Sequence, residues 1–140
     1  MRVEDILEKK GRSVATLSKN AQVSDAVTAL YKHGIGAVVV SADGSAIEGI
    51  LSERDIVREL HRTGATVLYR SIADIMTKKV ITCAPNDEVD QLMGLMTENK
   101  IRHLPVAEDG VLVGIISTRD VVAMRVDELL AETKAKEDSA

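Results

Sequence analysis

Two four-residue segments, SERD at 52–55 and STRD at 117–120, carry side chains suited to binding a sugar phosphate. The aspartate carboxylate of each segment can accept two hydrogen bonds from the vicinal hydroxyls of a ribose. The serine hydroxyl and the arginine guanidinium can donate to phosphate oxygens. If each segment begins a helix, free backbone amides add positive partial charge at the same place. One turn of helix can therefore bind the sugar and the phosphate of a nucleotide together.

The same segments also fit a helix start with no ligand. A serine at the N-cap followed three residues later by an acidic residue is a capping box, and a cap contributes about 1 kcal/mol to helix stability. Arg54 and Arg119 either form ion pairs with neighbouring acids or stay available to a phosphate. The residues alone leave both interpretations open.

Both segments belong to an internal repeat that covers nearly all of the chain up to about residue 126. Three pairs of stretches correspond: 3–7 with 72–76, 14–30 with 80–96, and 33–57 with 99–122. We therefore expect two domains, residues 1–62 and 72–130. Residues 63–71 would form a linker, and residues 131–140 a frayed tail.

Apolar residues at helical spacing predict an amphipathic helix in each copy. One begins near Val23 and the other near Val89. Asn20 and Asn86 lie about one turn upstream of these positions, so we expect them to be the N-caps.

A β-hairpin and a second helix follow in each copy. In the first copy, β-branched runs at 36–42 and 46–52 meet at an Asp-Gly pair, and the second copy repeats this around 109–110. An Asp-Gly pair between apolar runs is a strong hairpin signal. The second helices should begin near Arg54 and Arg119.

These elements predict an α/β protein of the α+β type, built from two βαββα-like repeats. A unit of about 60 residues is marginal alone. We therefore expect a pseudo-twofold pair packed sheet to sheet, with two similar sites in the cleft between the repeats.

Composition excludes several classes of protein. The 140 residues carry a net charge of -4, from 18 basic and 22 acidic residues, so a nucleic acid is not the expected partner. Cys83 is the only cysteine, which excludes an intramolecular disulfide and a cysteine-based zinc cluster, and we expect no metal site. The sequence has neither a long apolar segment nor a signal-like N-terminus, so we expect a cytoplasmic protein without a membrane partner.

The doubled G-h-h-S-x-x-D element (h is hydrophobic), with a helix and a hairpin before each copy and IRHLPV at 101–106, resembles a tandem pair of cystathionine-β-synthase (CBS) domains, or Bateman module. Modules of this family typically bind AMP, ADP, ATP, NAD or S-adenosylmethionine between the repeats. They often form dimers and act as regulatory sensors. The resemblance implies a stand-alone regulatory protein with an adenine nucleotide ligand, a homodimeric assembly and an unknown regulated partner.

The resemblance also implies roles for individual residues. Asp55 and Asp120 would bind the ribose hydroxyls. Residues implied to contact ribose or phosphate are Ser52, Arg54, Lys100, Arg102, His103, Ser117, Thr118 and Arg119. Residues implied to line the adenine pockets are Thr16, Gly36, Ala37, Val38, Thr82, Cys83, Ala84, Leu104 and Pro105.

The two copies differ where a ligand would lie. The second copy has cationic and donor side chains where the first has small residues: Lys100, Arg102 and His103 against Gly34, Gly36 and Ala37. This predicts two non-identical sites, or a phosphate region supplied mainly by the second copy. The cations favour a ligand with at least one phosphate over S-adenosylmethionine, and AMP, ADP, ATP and NAD remain open.

Two other functions compete with nucleotide sensing. Asp55, Asp120 and His103 can in principle supply the acid and base of a hydrolase. The sequence has no G-x-S-x-G, H-E-x-x-H or Walker motif, so we expect no enzyme and no catalytic cofactor. The second alternative is a ligand-independent dimerisation or scaffold module. The presence of both motif serines and both aspartates argues against it, because a scaffold needs only a helix start.

Overall fold

The chain folds into two small sheets, each covered by helices. The structure is a computed structural model that describes residues 1–139. Its α-helices in this range are α1 (Val3–Lys10), α2 (Val23–His33), α3 (Glu53–Thr63), α4 (Ile72–Ile75), α5 (Val89–Asn99) and α6 (Thr118–Ser139). Its strands are β1 (Thr16–Leu17), β2 (Ala37–Val40), β3 (Gly49–Ser52), β4 (His103–Glu108) and β5 (Val111–Ser117). This mixture of helix and strand confirms the predicted α+β class.

The two sheets have closely similar topologies. In the first sheet β1 runs parallel to β2, and β2 runs antiparallel to β3. In the second sheet β4 and β5 are antiparallel, and Cys83 forms a parallel bridge with Val106 in the place where β1 lies in the first. The extended segment expected before each first helix therefore lies at a sheet edge in both copies.

Both predicted hairpins are present, since β2 pairs with β3 and β4 with β5, but only the second Asp-Gly pair forms a tight turn. Asp109 and Gly110 form a tight turn between β4 and β5, with φ of 52° and 79°. In the first copy, residues 41–48 form a loop, so the strands are shorter than 36–42 and 46–52. The Asp43 carboxylate accepts hydrogen bonds from the amides of Ser45 and Ala46, both 2.9 Å long, and this local turn replaces strand pairing.

The expected N-caps of the first helix in each copy were also wrong. Gln22 and Glu88 occupy those positions, two residues beyond Asn20 and Asn86. Both N-cap residues form isolated β-bridges with the chain just before the other repeat's short lead-in helix. Asn20 and Asn86 instead lie in turns, and each helix begins only after the bridged residue.

The lead-in helices are exchanged between the repeats. Helix α1 belongs to the first copy in the sequence, but its Val3, Ile6 and Leu7 are buried in the core around β4 and β5. Helix α4 belongs to the second copy, but Ile72 and Ile75 are buried in the core around β2 and β3. Burial of such side chains contributes about 1.5–3 kcal/mol each. The exchange therefore ties the two repeats together in both directions.

The connection between the repeats is structured. Residues Gly64–Tyr69 form a 3₁₀ helix, and its Val67 is fully buried in the first core. Helix α6 continues to Ser139, past residue 131, where we expected a frayed tail. Residues 131–138 are rich in Ala, Glu and Lys, which are good helix formers, and residue 140 lies outside the described residues.

Candidate ligand-binding clefts

Both S-x-x-D segments are capping boxes. Ser52 Oγ accepts a 3.3 Å hydrogen bond from the amide of Asp55, whose Oδ2 accepts from the Ser52 amide at 3.0 Å and from its hydroxyl at 3.1 Å. Ser117 and Asp120 form the same bonds at 3.3, 2.8 and 3.0 Å. The capping interpretation is therefore confirmed for α3 and α6, and each helix start still presents its first turn to a cleft.

The glycine that begins each motif has a packing role. A Cβ atom on Gly49 would lie 2.7 Å from Met76 Sδ, and one on Gly114 would lie 2.6 Å from Leu7 Cδ2. Both distances are impossible for a real Cβ contact. A larger residue at either position would therefore force Met76 or Leu7 to shift where each exchanged lead-in helix approaches the sheet.

The first motif faces a cleft of about 300 Å³, called cleft one below. One wall is the start of α3, including Arg58, and the other comes from the second repeat. The residues from the second repeat are Thr77, Lys79, Val80, Ile81, Lys100, Ile101, Arg102 and His103.

The second motif faces a cleft of about 380 Å³, called cleft two. One wall is the start of α6, and the other comes from the first repeat. The residues from the first repeat are Lys10, Ser13, Val14, Ala15, Gly34, Ile35, Gly36, Ala37 and Glu53. Each motif thus opposes the other repeat, so the cationic segment 100–103 faces the first motif and the glycine-rich segment 34–37 faces the second.

The predicted ribose, phosphate and adenine residues fall into two groups by position. Those that line a cleft are Ser52, Arg54, Asp55, Ser117, Thr118, Arg119, Asp120, Lys100, Arg102, His103, Gly36 and Ala37. Those placed outside both linings are Thr16, Val38, Thr82, Cys83, Ala84, Leu104 and Pro105. Val38 and Leu104 are fully buried in the cores. The extended segments before the first helices line the clefts at residues 13–15 and 79–81, which come a few residues before the predicted Thr16 and Thr82.

The sequence analysis missed three cationic side chains of the clefts. Arg58 lies one turn after Asp55 on α3, and i,i+3 spacing was a signal that could have found it. Lys79 is the first residue of the segment 79–81 that lines cleft one. Lys10 reaches cleft two only because α1 is exchanged, so no local pattern predicts it.

The two motif aspartates have different cationic partners. Arg58 donates to Asp55 Oδ1 at 3.0 Å from the same helix. Lys10 donates to Asp120 Oδ2 at 2.7 Å and to the carbonyl oxygen of Ile115 at 2.9 Å, from the exchanged helix. The Asp55 side chain is 9% exposed and that of Asp120 is 19% exposed. A ligand that takes either carboxylate must therefore share it with a cation already bound there.

Four residues line both clefts: Gly36, Glu53, Arg102 and His103. A Cβ atom on Gly36 would lie 2.9 Å from His103 Cε1, so the imidazole packs directly on that backbone. Burial lowers the pKa of His103, against the opposing effect of the Glu53 and Asp120 carboxylates. The wall between the clefts is thus the closely packed imidazole of His103, mainly uncharged at neutral pH, with the Glu53 carboxylate and the Arg102 guanidinium beside it.

The clefts hold more positive than negative charge. Five cationic side chains and two carboxylates line cleft one, and three cationic side chains and two carboxylates line cleft two. Arg54 and Arg119, left open above, form no ion pair within 4.0 Å among residues 1–139. Their guanidinium groups are therefore available to an anion.

Two further features are absent from residues 1–139. No helix in this range has the length and apolar character needed to cross a membrane. No group of three or more His, Cys, Asp and Glu side chains in the same range is placed to hold a metal ion.

The chain is thus a tandem-repeat module with two clefts between its repeats. The two α+β repeats exchange their lead-in helices, and each presents a capped helix start to a cleft whose opposite wall is the other repeat. The chain belongs to the CBS domain family, whose model matches residues 3–62 and 72–127.

Its relatives include proteins made mainly of this module. A mitochondrial CBS domain-containing protein of Arabidopsis thaliana is 37% identical over 134 residues, which is 90% of this chain and 65% of that protein. The chain thus spans about two thirds of that relative's length. The structure of a CBS-domain containing protein from Agrobacterium tumefaciens is 45% identical, with a TM-score of 0.86, and the match covers 89% of this chain and 99% of that one.

Two similar structures contain adenosine ligands. A CBS domain protein from Pyrobaculum aerophilum, 28% identical with a TM-score of 0.76 over 86% of this chain and 89% of that one, was solved with AMP. Another CBS domain pair, 26% identical with a TM-score of 0.81 over 91% of this chain and 98% of that one, was solved with 5′-methylthioadenosine and S-adenosyl-L-methionine.

Proposed function

We propose that this protein is a regulatory module that binds an adenine nucleotide (AMP, ADP, ATP or NAD) in the clefts between its repeats. One observation carries the proposal: each capped helix start opens into a cleft whose opposite wall is the other repeat. A ligand there contacts both repeats at once. The adenosine ligands of the two similar structures are precedents in the same fold.

The proposed contacts follow from the chemistry of each wall. Asp55 and Asp120 accept from ribose hydroxyls, while Ser52, Ser117 and Thr118 offer hydroxyl groups beside the helix amides. The guanidinium groups of Arg54 and Arg119 bind phosphate oxygens. The apolar part of each cleft, suited to the flat base, includes Val80, Ile81 and Ile101 in cleft one and Val14, Ala15 and Ile35 in cleft two.

Regulation requires that the ligand bind two arrangements of the repeats with different affinities. A nucleotide that bridges the helix start of one repeat and the strand start of the other favours one relative angle. The change in this angle reaches a partner through the oligomer or through a changed surface. We assign no catalytic step to these residues, and the cytoplasmic location remains a prediction.

We also propose a homodimer, because the helices that follow the motifs carry exposed apolar side chains. Val57 and Leu60 on α3 are 64% and 42% exposed. On α6 the exposed apolar residues are Val122, Val126, Leu129 and Leu130. Leu130→Asp should lower the dimer fraction in analytical ultracentrifugation, whereas Tyr31→Asp, at a residue 89% exposed on α2, should not. A wild-type chain that sediments as a monomer at all concentrations would contradict this assembly.

Thermal unfolding against a panel of nucleotides tests ligand binding. A nucleotide at 100 times its dissociation constant should stabilise the protein by about 2.7 kcal/mol. Asp55→Ala or Asp120→Ala should abolish the shift for its own cleft. Asp25→Ala is the matched control, because Asp25 accepts from the Gln22 amide at 3.0 Å in the same capping position of α2, away from both clefts.

The scaffold alternative predicts a different outcome. If no nucleotide raises the midpoint, and the three aspartate substitutions lower stability by the same amount, the two motifs are only helix starts. Because a serine and an aspartate at these positions serve a helix start as well as a nucleotide site, this experiment separates the two functions.

A further inference from the structure

We propose that cleft one selects a nucleotide with two or more phosphates, and that Lys79 and Lys100 determine this selectivity. This inference rests on the proposed function and names the ligand class of one of its two clefts.

The first observation is the supply of free positive charge in cleft one. Arg54, Lys79, Lys100 and Arg102 line it, and none of them forms an ion pair within 4.0 Å in the part of the chain that the structure describes. Only Arg58 is engaged, with Asp55. One phosphate needs fewer donors than this, whereas a diphosphate or triphosphate offers enough oxygens for all of them.

The second observation is the backbone conformation of Lys100. It ends α5 in the left-handed region, with φ 55° and ψ 42°. Gly34 occupies the corresponding position at the end of α2, with φ 61° and ψ 40°. A side chain in this conformation costs free energy that glycine does not. The fold alone would therefore favour glycine at residue 100, so the lysine ammonium has a use that the helix end does not explain.

Cleft two lacks the same supply. Its own lysine, Lys10, is already bonded to Asp120 and to a backbone carbonyl, and Gly34 stands where cleft one has Lys100. The remaining cations are Arg119 and the shared Arg102. Cleft two is the larger of the two but has fewer free donors, so we expect it to take a nucleotide with at most one phosphate.

Titration calorimetry with AMP, ADP and ATP tests the proposal on the full chain. Lys100→Gly should weaken ADP and ATP binding by about three- to tenfold and AMP binding by much less. The same substitution should raise the midpoint of thermal unfolding without ligand by a few degrees, because it relieves the backbone. Lys79→Gln should weaken ADP and ATP binding in the same way without the thermal gain.

Two further variants separate the effect of the lysine charge on binding from the effect of relieving a left-handed backbone conformation. Asp109→Gly removes the other left-handed side chain, at the β4–β5 turn outside the clefts, and should leave all three affinities unchanged. Gly34→Lys adds the missing lysine to cleft two and should strengthen ADP binding there, at some cost in thermal stability.

The outcomes distinguish this inference from the proposed function. If AMP, ADP and ATP bind cleft one equally well, or Lys100→Gly weakens all three equally or none, the selectivity of cleft one is overturned while nucleotide binding stands. If neither these three nucleotides nor NAD produces heat or a thermal shift with the wild-type chain, the proposed function fails first and the inference fails with it.

Discussion

Leu7 lies against Gly114 so closely that a Cβ atom on the glycine would be 2.6 Å from Leu7 Cδ2. Leu7 belongs to the first copy in the sequence, and Gly114 begins the motif of the second. Met76 and Gly49 reproduce the contact in the opposite direction. The glycine that opens both G-h-h-S-x-x-D elements is thus explained by the exchange of lead-in helices, whereas the serine and aspartate belong to the helix start.

Gly114→Ala should destabilise the protein by about 1–3 kcal/mol, because the added methyl group overlaps Leu7. Urea unfolding gives the change in the free energy of unfolding. Gly94→Ala is the control, since a Cβ atom there meets nothing within 4 Å and alanine favours a helix. In a double-mutant cycle, Leu7→Ala should reduce the cost of Gly114→Ala. An unchanged cost in that background would contradict the contact.

Leu7→Ala should destabilise the protein by about 2–5 kcal/mol, the usual cost of a cavity at a fully buried leucine. Because Leu7 packs in the second core, hydrogen exchange should quicken first in β4 and β5. Ile72→Ala is the matched variant from the other exchanged helix and should act first on β2 and β3. The reverse assignment, or loss of protection only next to each substitution in sequence, would rule out the exchange.

The burial of His103 predicts a pH dependence of stability. Its pKa in the folded protein is lowered from 6.5 mainly by burial, although the Glu53 and Asp120 carboxylates oppose this and Lys10 and Arg102 add to it. The folded state therefore binds this proton less strongly than the unfolded state. The stability that uncharged His103 contributes to the folded state is therefore present above about pH 6.5 and is lost as the pH falls through the lowered pKa.

The measurement is the free energy of unfolding at pH 7.5 and pH 5.5. His103→Gln should lose less stability on acidification than the wild type, while His33→Gln, at an exposed residue in the last turn of α2, should match the wild type. Identical pH profiles for all three proteins would show that His103 does not contribute.

The single cysteine should be chemically inert in the folded protein. Cys83 is 5% exposed, and its burial, assisted by the nearby Asp87 carboxylate, raises the pKa of the thiol to about 12. Because the thiolate is the reactive form, a disulfide reagent at pH 8 should modify Cys83 only after unfolding. Ser18→Cys, at an exposed position, provides a thiol that should react at once. Equal rates at both positions in the folded protein would contradict the burial of Cys83.

Local signals predicted well those features that neighbouring residues create. The capping boxes at Ser52 and Ser117, and the tight turn at Asp109, depend on side chains and backbone groups within four residues of each other. The same kind of signal missed the length of the loop at Asp43 and failed for the N-cap at Asn20. There, an alternative set of local hydrogen bonds and a bridge to a distant segment decided the backbone conformation.

The sequence by itself determined that the chain is an α+β pair of repeats, and that each copy begins a helix with a serine and an aspartate in a capping box. Periodicity, turn residues and self-similarity carry that information, because they act over short separations. Only the tertiary structure decided that Lys10 bonds Asp120 and that Lys100 faces the first motif. These pairings arise from burial of apolar faces on helices far apart in the chain, and the exchange of α1 and α4 sets which walls meet.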